Sequence, residues 1–536
     1  MHLAADVPVV GLDILLLFAL GLALGFEFVN GFHDTANAVA TVIYTHTLRP
    51  WVAVIWSGCW NLIGVLTSSG AVAFSVIALL PADLVVNIGS STGFAMVFAL
   101  LISAIIWNLG TWYLGLPASS SHTLVGAIMG VGLANSLMQG GHSVGEGLNW
   151  PKVAEVFMSL LVSPVVGFVC SALLLLLAKA FVHRPSLFRT PPKNVPPPRS
   201  IRGLLILTCT GVSFAHGSND GQKGMGLILL ILVGILPGTY ALNLNTSAAE
   251  FHNLQSSASN LAAEFDSHAA DHSISAGQAA ATLSDYLKSP GVSDATAFSA
   301  LASADRQLAQ DLSGKDSFGD FHKDQLDSVR GRIYLLNDVL GKLLSQKKFT
   351  DPGQVSAIAS FRQELTAATQ YIPTWVKFAV ALALGLGTMI GWKRIVVTVG
   401  ERIGKQHLTY AQGAAAELVA MATIGAADLF GMPVSTTHVL SSGVAGTMAA
   451  NHSGLQFRTI RNIALAWVLT LPACVLLGAA TFSFAFYLIF TSPLKKVLLI
   501  VLFAGIVGTL GWRWRAYRFT RPPGKITEPV GSSSEI

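Results

Sequence analysis

The sequence predicts an all-α, polytopic membrane protein, and three observations carry that prediction. Only 11% of the 536 residues are charged and 52% are hydrophobic, whereas a soluble domain carries about 25% charged residues. Mean hydropathy is +0.59. Stretches free of Asp, Glu, Lys and Arg are long and mostly apolar: Pro50–Ala82, Leu84–Gly145, Val156–Ala178, Gly224–Ala249, Leu429–Phe457 and Asn462–Leu494. A spanning helix needs about 20 predominantly apolar residues, so the chain has room for about 10–12 spanning or re-entrant helical segments.

The first segment, 9–45, reads as a retained span. Asp6 and Asp13 stand where a signal peptide carries its basic region, and no Lys or Arg precedes Leu15. As one helix it would reach about 55 Å against a hydrocarbon core of about 30 Å, which predicts a break near Gly31–Asp34. Residues 1–182 form a first membrane repeat. Residues 183–202 form a Pro-rich linker with Arg184, Arg189, Lys193, Arg199 and Arg202 and no acid. Residues 203–245 and 371–490 form a second membrane repeat. Between them, residues 246–370 carry 15 acidic and 10 basic residues, leaving 13 and 23 elsewhere. Helical periodicity such as "RIYLLNDVLGKLLSQ" marks this stretch as a soluble helical insertion. Residues 491–536 add a C-terminal span and a basic tail. The cysteines, Cys59, Cys170, Cys209 and Cys474, have no metal-type spacing and read as packed thiols.

Positive loops stay cytoplasmic. That places the linker, the tail and loop 393–407 (Lys393, Arg394, Arg402, Lys405) inside. The acidic insertion lies one span away from that loop, so it and the N-terminus belong on the periplasmic side. Lys495–Lys496 does not fit this scheme.

Two motif pairs indicate a duplication. "NGFHDTANAVAT" (30–41) resembles "HGSNDGQKGMGL" (216–227), aligning Asp34 with Asp220. "GLPASSSHTLVGAIMG" (115–130) resembles "GMPVSTTHVLSSGVAG" (431–446), aligning Pro117 with Pro433 and His122 with His438. The first Asp-to-His interval is 88 residues and the second 218, an excess close to the 125-residue insertion. The halves start on opposite sides of the membrane. Inverted repeats with polar breaks in corresponding helices point to a secondary transporter.

The motifs suggest the chemistry. A carboxylate at the bilayer centre costs at least about 2.5–3.5 kcal/mol, so Asp34 and Asp220 should face the bundle interior and bind a coupling ion. Asn30, His33 and Asn37 accompany the first; His216, Asn219, Gln222 and Lys223 accompany the second. Glycines beside them would let the backbone unwind and free carbonyls for a cation or proton. Pro–Ser/Thr runs before apolar helix read as helix N-termini, which offer unpaired N–H groups and partial positive charge. Ser119, Ser120, Ser121, Ser435, Thr436 and Thr437 would add six hydroxyls, a fit for a small tetrahedral oxyanion. His122 and His438 end these runs as packing residues or ligands, and Glu417 is a further acid in an apolar stretch. A Ser121–His122 hydrolase is disfavoured, because adjacent helical residues do not face each other. No nucleotide-binding G-x-x-x-x-G-K-[ST] motif is present.

These four motifs, in this order, resemble the inorganic phosphate transporter (PiT) family, and most closely its bacterial PitA-type low-affinity symporters. The resemblance covers roughly residues 9–242 and 373–490. It implies symport of inorganic phosphate with a cation across a bacterial cytoplasmic membrane, with no enzymatic activity and no covalent cofactor. It implies a central site of Asp34, Asn37, Asn219, Asp220, Ser119–Ser121 and Ser435–Thr437. Sulfate or arsenate remain alternative substrates. His33 replaces an asparagine common in the family, and Lys223 stands where a second copy of Asn37 would be. An ammonium group offers no lone pair to sodium, so proton coupling is expected over sodium. The resemblance also implies phosphate moving as a neutral complex with a divalent metal. Partners are phosphate, the coupling cation and the bilayer, with no nucleic acid; a homodimer is left open.

Overall fold

The structure is a computed structural model. It describes residues 9–79, 90–138, 148–192, 195–236, 240, 242–269, 274–288, 293–349, 351–369 and 371–490, except the side chains of 9–13, 35–37, 276, 288, 323–324, 327 and 490. The expected C-terminal span, Lys495–Lys496 and the basic tail lie outside the described residues. The chain divides into two compact units, Met1–Phe482 and Ser483–Ile536. Of the second, only the end of the last described helix, residues 483–490, is described.

Among the described residues the chain is helical, with one isolated bridge between Gly404 and Leu455. The first half contains α1 (Val9–Tyr44), α2 (Pro50–Thr67), α3 (Ala71–Ile77), α4 (Ser91–Leu114), α5 (Ser120–Met138) and α6 (Trp150–Phe181). The second opens with α7 (Arg199–Ile235). The insertion contributes α8 (Ala248–His268), α9 (Ala276–Lys288), α10 (Asp294–Leu312), α11 (Lys323–Ser345) and α12 (Pro352–Thr369). Then follow α13 (Thr374–Met389), α14 (Lys393–Val397), a π-helical turn (Thr398–Arg402), α15 (Tyr410–Leu429), α16 (Thr436–Ala450) and α17 (Phe457–Phe490).

Local chemistry sets the boundaries. Pro50 opens α2 and Asn149 caps α6 by accepting from Lys152 N–H, as expected of prolines and Asx residues at helix starts. Thr409 with Gln412 and Ser247 with Glu250 form capping boxes on α15 and α8. α4 ends on Gly115 at φ 68°, and the turn after α15 places Gly431 at φ 63°. A proline follows two residues after each, so each chain segment leaves its helix, turns and restarts as α5 or α16.

Five described helical stretches are long and apolar enough to cross a bilayer: Ile14–Tyr44, Pro50–Thr67, Ser91–Leu114, Trp150–Phe181 and Phe457–Ile489. α12 and α13, bent by 71°, would add a sixth if they form one span. α6 exposes Phe157, Leu161, Val165 and Leu173, an apolar surface suited to hydrocarbon. α5 and α16 are almost wholly buried instead and can afford polar residues. Each is pressed against a proline-containing helix. A Cβ at Gly130 of α5 would lie 2.1 Å from Val475 O on α17, and one at Gly446 of α16 would lie 2.1 Å from Phe168 O on α6.

Two expectations are corrected. α1 and α7 run unbroken through Gly31–Asp34 and Gly217–Asp220. Gly31 and Gly217 admit a neighbouring backbone rather than unwinding their own: a Cβ would stand 2.3 Å from Leu384 O and 2.2 Å from Asn61 O, respectively. Cys209 and Cys474 are buried, but Cys59 and Cys170 are exposed on helix surfaces. The insertion helices α8–α12 close around their own core, including Phe251, Phe265, Leu301, Ile333 and Phe361.

Candidate functional site

The unbroken α1 and α7 carry Asp34 and Asp220 into the interior, where both are buried. The restarted helices α5 and α16 bring their first turns to the same place. Ser120 Oγ lies 3.1 Å from Asp34 Oδ2 and 3.4 Å from Asp220 Oδ2. Thr437 Oγ1 donates to Asp34 Oδ1. Hydroxyls 317 positions apart in the chain therefore meet one carboxylate.

The remaining hydroxyls divide their tasks. Ser119 Oγ accepts from His122 N–H at 3.2 Å, and Ser435 Oγ accepts from His438 N–H at 3.2 Å. Both are N-caps, matched across the two halves. Ser121 Oγ donates to Val434 O at 2.8 Å, tying the two tips together. Thr436 Oγ1 is buried and has no hydrogen-bond partner among the described residues.

Imidazoles and a lysine surround the aspartates. His33 Nδ1 is 3.3 Å from Asp34 Oδ1, while its Nε2 is 3.0 Å from Thr111 Oγ1 on α4. His216 Nε2 is 3.5 Å from Asp220 Oδ2 and 3.9 Å from Asp34 Oδ2. Lys223 Nζ is 2.7 Å from Asp220 Oδ1, so this lysine neutralises a carboxylate. Asp34, His216 and Asp220 each offer one atom within 4.8 Å of the others. Two carboxylates and an imidazole are a donor set that a divalent cation accepts.

Several expected residues lie around this centre rather than in it. His122 and His438 rings pack against each other, with centroids 4.7 Å apart. His438 also packs on Trp467. Asn219 Nδ2 donates to Met432 O at 3.2 Å. Gln222 donates to Asp428 Oδ1 at 2.5 Å and accepts from Val72 N–H, tying α7 to α15 and α3. Asn30 donates to Glu27 Oε2 at 3.4 Å rather than to an aspartate. Glu417 accepts from Thr208 Oγ1 on α7 and sits apart from the aspartates. The side chain of Asn37 lies outside the described residues.

Asn61 is a site residue that the sequence did not single out. Its Oδ1 lies 2.5 Å from His216 Nδ1 while its Nδ2 donates to Ser57 O at 2.9 Å. The amide is thereby oriented, His216 Nδ1 is the proton donor, and Nε2 faces the two aspartates. The available signal was an Asn inside the charge-free stretch Pro50–Ala82.

Several bilayer-length apolar helices around a buried, charged polar centre define a multi-pass membrane protein, and its relatives are named transporters rather than enzymes. The sequence pattern of the phosphate transporter family matches residues 30–478, and the chain belongs to that family. It is 43% identical to the low-affinity inorganic phosphate transporter PitA of Escherichia coli (strain K12), across 88% of this chain and 97% of that one. It is 42% identical to PitB of the same organism, across 90% and 99%. A probable low-affinity inorganic phosphate transporter of Bacillus subtilis (strain 168) is 28% identical, across 88% and 98%. A solved sodium-dependent phosphate transporter aligns with a TM-score of 0.48 at 18% identity, across 88% of this chain and 98% of that one.

Proposed function

We propose that the chain imports inorganic phosphate across a bacterial cytoplasmic membrane together with a coupling cation, by alternating access around the Asp34–Asp220 centre. One observation carries the reading: hydroxyls from both helix tips converge on Asp34. Those donors suit a tetrahedral oxyanion, and in this state they are satisfied by a carboxylate. Phosphate brought to them would stand beside two aspartates. A like-charge pair at about 4 Å costs about 4 kcal/mol at an effective dielectric of 20, roughly a thousandfold in affinity. Lys223 offsets only one of the negative charges. Phosphate binding is therefore favoured by further positive charge in the same centre, a proton on His33, His216 or an aspartate or a bound cation, and this is the proposed physical basis of coupling.

The proton is our choice of coupling ion. Lys223 occupies the position equivalent to Asn37, and its ammonium cannot ligate sodium. A divalent cation travelling with phosphate would use Asp34, His216 and Asp220. The paired features favour two inverted copies of one repeat: Gly115 with Gly431, Ser119 with Ser435, and Gly130 with Gly446. Such copies would rock to expose the centre alternately. Phosphate is preferred over sulfate because the family pattern and the named relatives are those of phosphate transporters.

The test is uptake of labelled phosphate into proteoliposomes in competition with unlabelled oxyanions. Unlabelled phosphate or arsenate should displace the label, and sulfate should not. Stronger displacement by sulfate than by phosphate would overturn the substrate assignment.

A further inference from the structure

Outside the central site, a cleft of about 580 Å³ lies between the end of α4 and segment 391–402. Its lining includes Trp112, Gly115, Trp392, Lys393, Arg394 and Arg402. Among the described residues, three cationic side chains and no acid line it. Arg394 is fixed: it donates to Tyr113 O at 2.7 Å and its guanidinium lies 5.2 Å and 4.7 Å from the Trp112 and Tyr113 ring centres. A guanidinium has five N–H donors, so donors remain after that bond. Lys393 and Arg402 are exposed, and among the described residues neither has a carboxylate within ion-pair distance. The neighbouring acid, Glu401, interacts with Tyr44 and is not among the described residues that line the cleft. The cleft is also braced. Trp112 Nε1 donates to Gly391 O at 2.7 Å, and Thr398 Oγ1 donates to Gly115 O at 2.8 Å.

We infer that this cleft binds a phosphate group. Unpaired Lys and Arg side chains with a pre-positioned guanidinium are the donor set that phosphate oxygens select. The segment bearing them is the basic loop that the charge distribution assigns to the cytoplasmic side. Two sources supply that chemistry there. One is free inorganic phosphate staged beside the central site, since four residues of chain lead from Gly115 on the cleft wall to Ser119. The other is the headgroup of an anionic phospholipid, for which a basic pocket edged by tryptophans at a membrane surface is suited. The first source rests on the transport reading above; the second does not.

The experiment uses the full-length Lys393→Gln/Arg402→Gln double variant. Phosphate transport is measured in right-side-out and everted membrane vesicles, and thermal stability in nanodiscs of phosphatidylcholine or phosphatidylglycerol. For free phosphate, the apparent KM rises at least threefold on the face bearing the loop and stays unchanged on the other. For a lipid headgroup, both KM values hold, but the stabilisation that phosphatidylglycerol gives the wild type is lost. The Lys393→Arg/Arg402→Lys variant should retain the wild-type response in either arm. A KM rise on both faces, or no change in either readout, overturns the inference. Wild-type uptake in the same vesicles reports separately on the central site.

Discussion

Asp34 has Ser120, Thr437, His33 and His216 around a single buried carboxylate. Replacing it with Asn keeps the shape and removes the charge to which the proposed mechanism assigns the need for a coupling cation. Asp34→Asn and Asp220→Asn should each abolish phosphate accumulation in proteoliposomes; accumulation at the wild-type level would remove that residue from the mechanism. A different buried acid tests the insertion. Asp305 in α10 is fully buried, and neither carboxyl oxygen has a partner among the described residues. Burial pushes its carboxyl well above the usual carboxylate range. Its contribution to stability is therefore greatest below the unfolded value, about pH 3.9, and is lost as pH rises towards the folded one. Asp305→Ala should stabilise the insertion at neutral pH by about 1–3 kcal/mol, read as slower hydrogen exchange in α10 of the full-length chain. Faster exchange would show that the carboxyl has a role other than an unpaired burial.

At the scale of elements, the two Pro–Ser/Thr turns do the positioning. Ser435→Ala removes the cap of α16 and should cost about 1 kcal/mol, measured as a lower unfolding temperature of the purified carrier. Gly446→Val should be far more damaging, because a Cβ there would meet the backbone of α6 at Phe168 O. Yield of folded protein should collapse, whereas wild-type yield would show that α6 can move aside. Much of this was legible in the sequence. The G-x-P-x-S/T pattern names an αL glycine, a proline and an N-cap, and each is a local rule that the fold obeys. The pairing of Asp34 with Asp220 was legible because the motif repeats. The unbroken course of α1 and α7 was not: glycine permits both backbone bending and close approach, and only the neighbour's position decides between them. Asn61 was hidden for a related reason. One amide in an apolar helix gives no sign of the imidazole that a distant segment will bring to it. His122 and His438 show the reverse, since their place at the tips was readable but their contact with each other was not.

For the whole molecule, the insertion has a hydrophobic core of its own. Its core is closed on itself, and Asn243 N–H donates to Ala368 O at 2.8 Å, so its two ends meet. Replacing residues 246–366 with a short Gly/Ser linker should leave phosphate uptake within about twofold of wild type, since chain ends this close tolerate excision. Abolished uptake by a folded, membrane-inserted deletion variant would give the insertion a part in transport. The proposed mechanism, by contrast, requires the central centre to change its charge whenever phosphate enters or leaves. Uptake by the purified chain in proteoliposomes, with a proton gradient or a sodium gradient imposed singly, tests that requirement most directly. An inward proton gradient without sodium should drive phosphate accumulation. Accumulation driven by sodium alone at fixed pH, or uptake indifferent to both gradients, would contradict it.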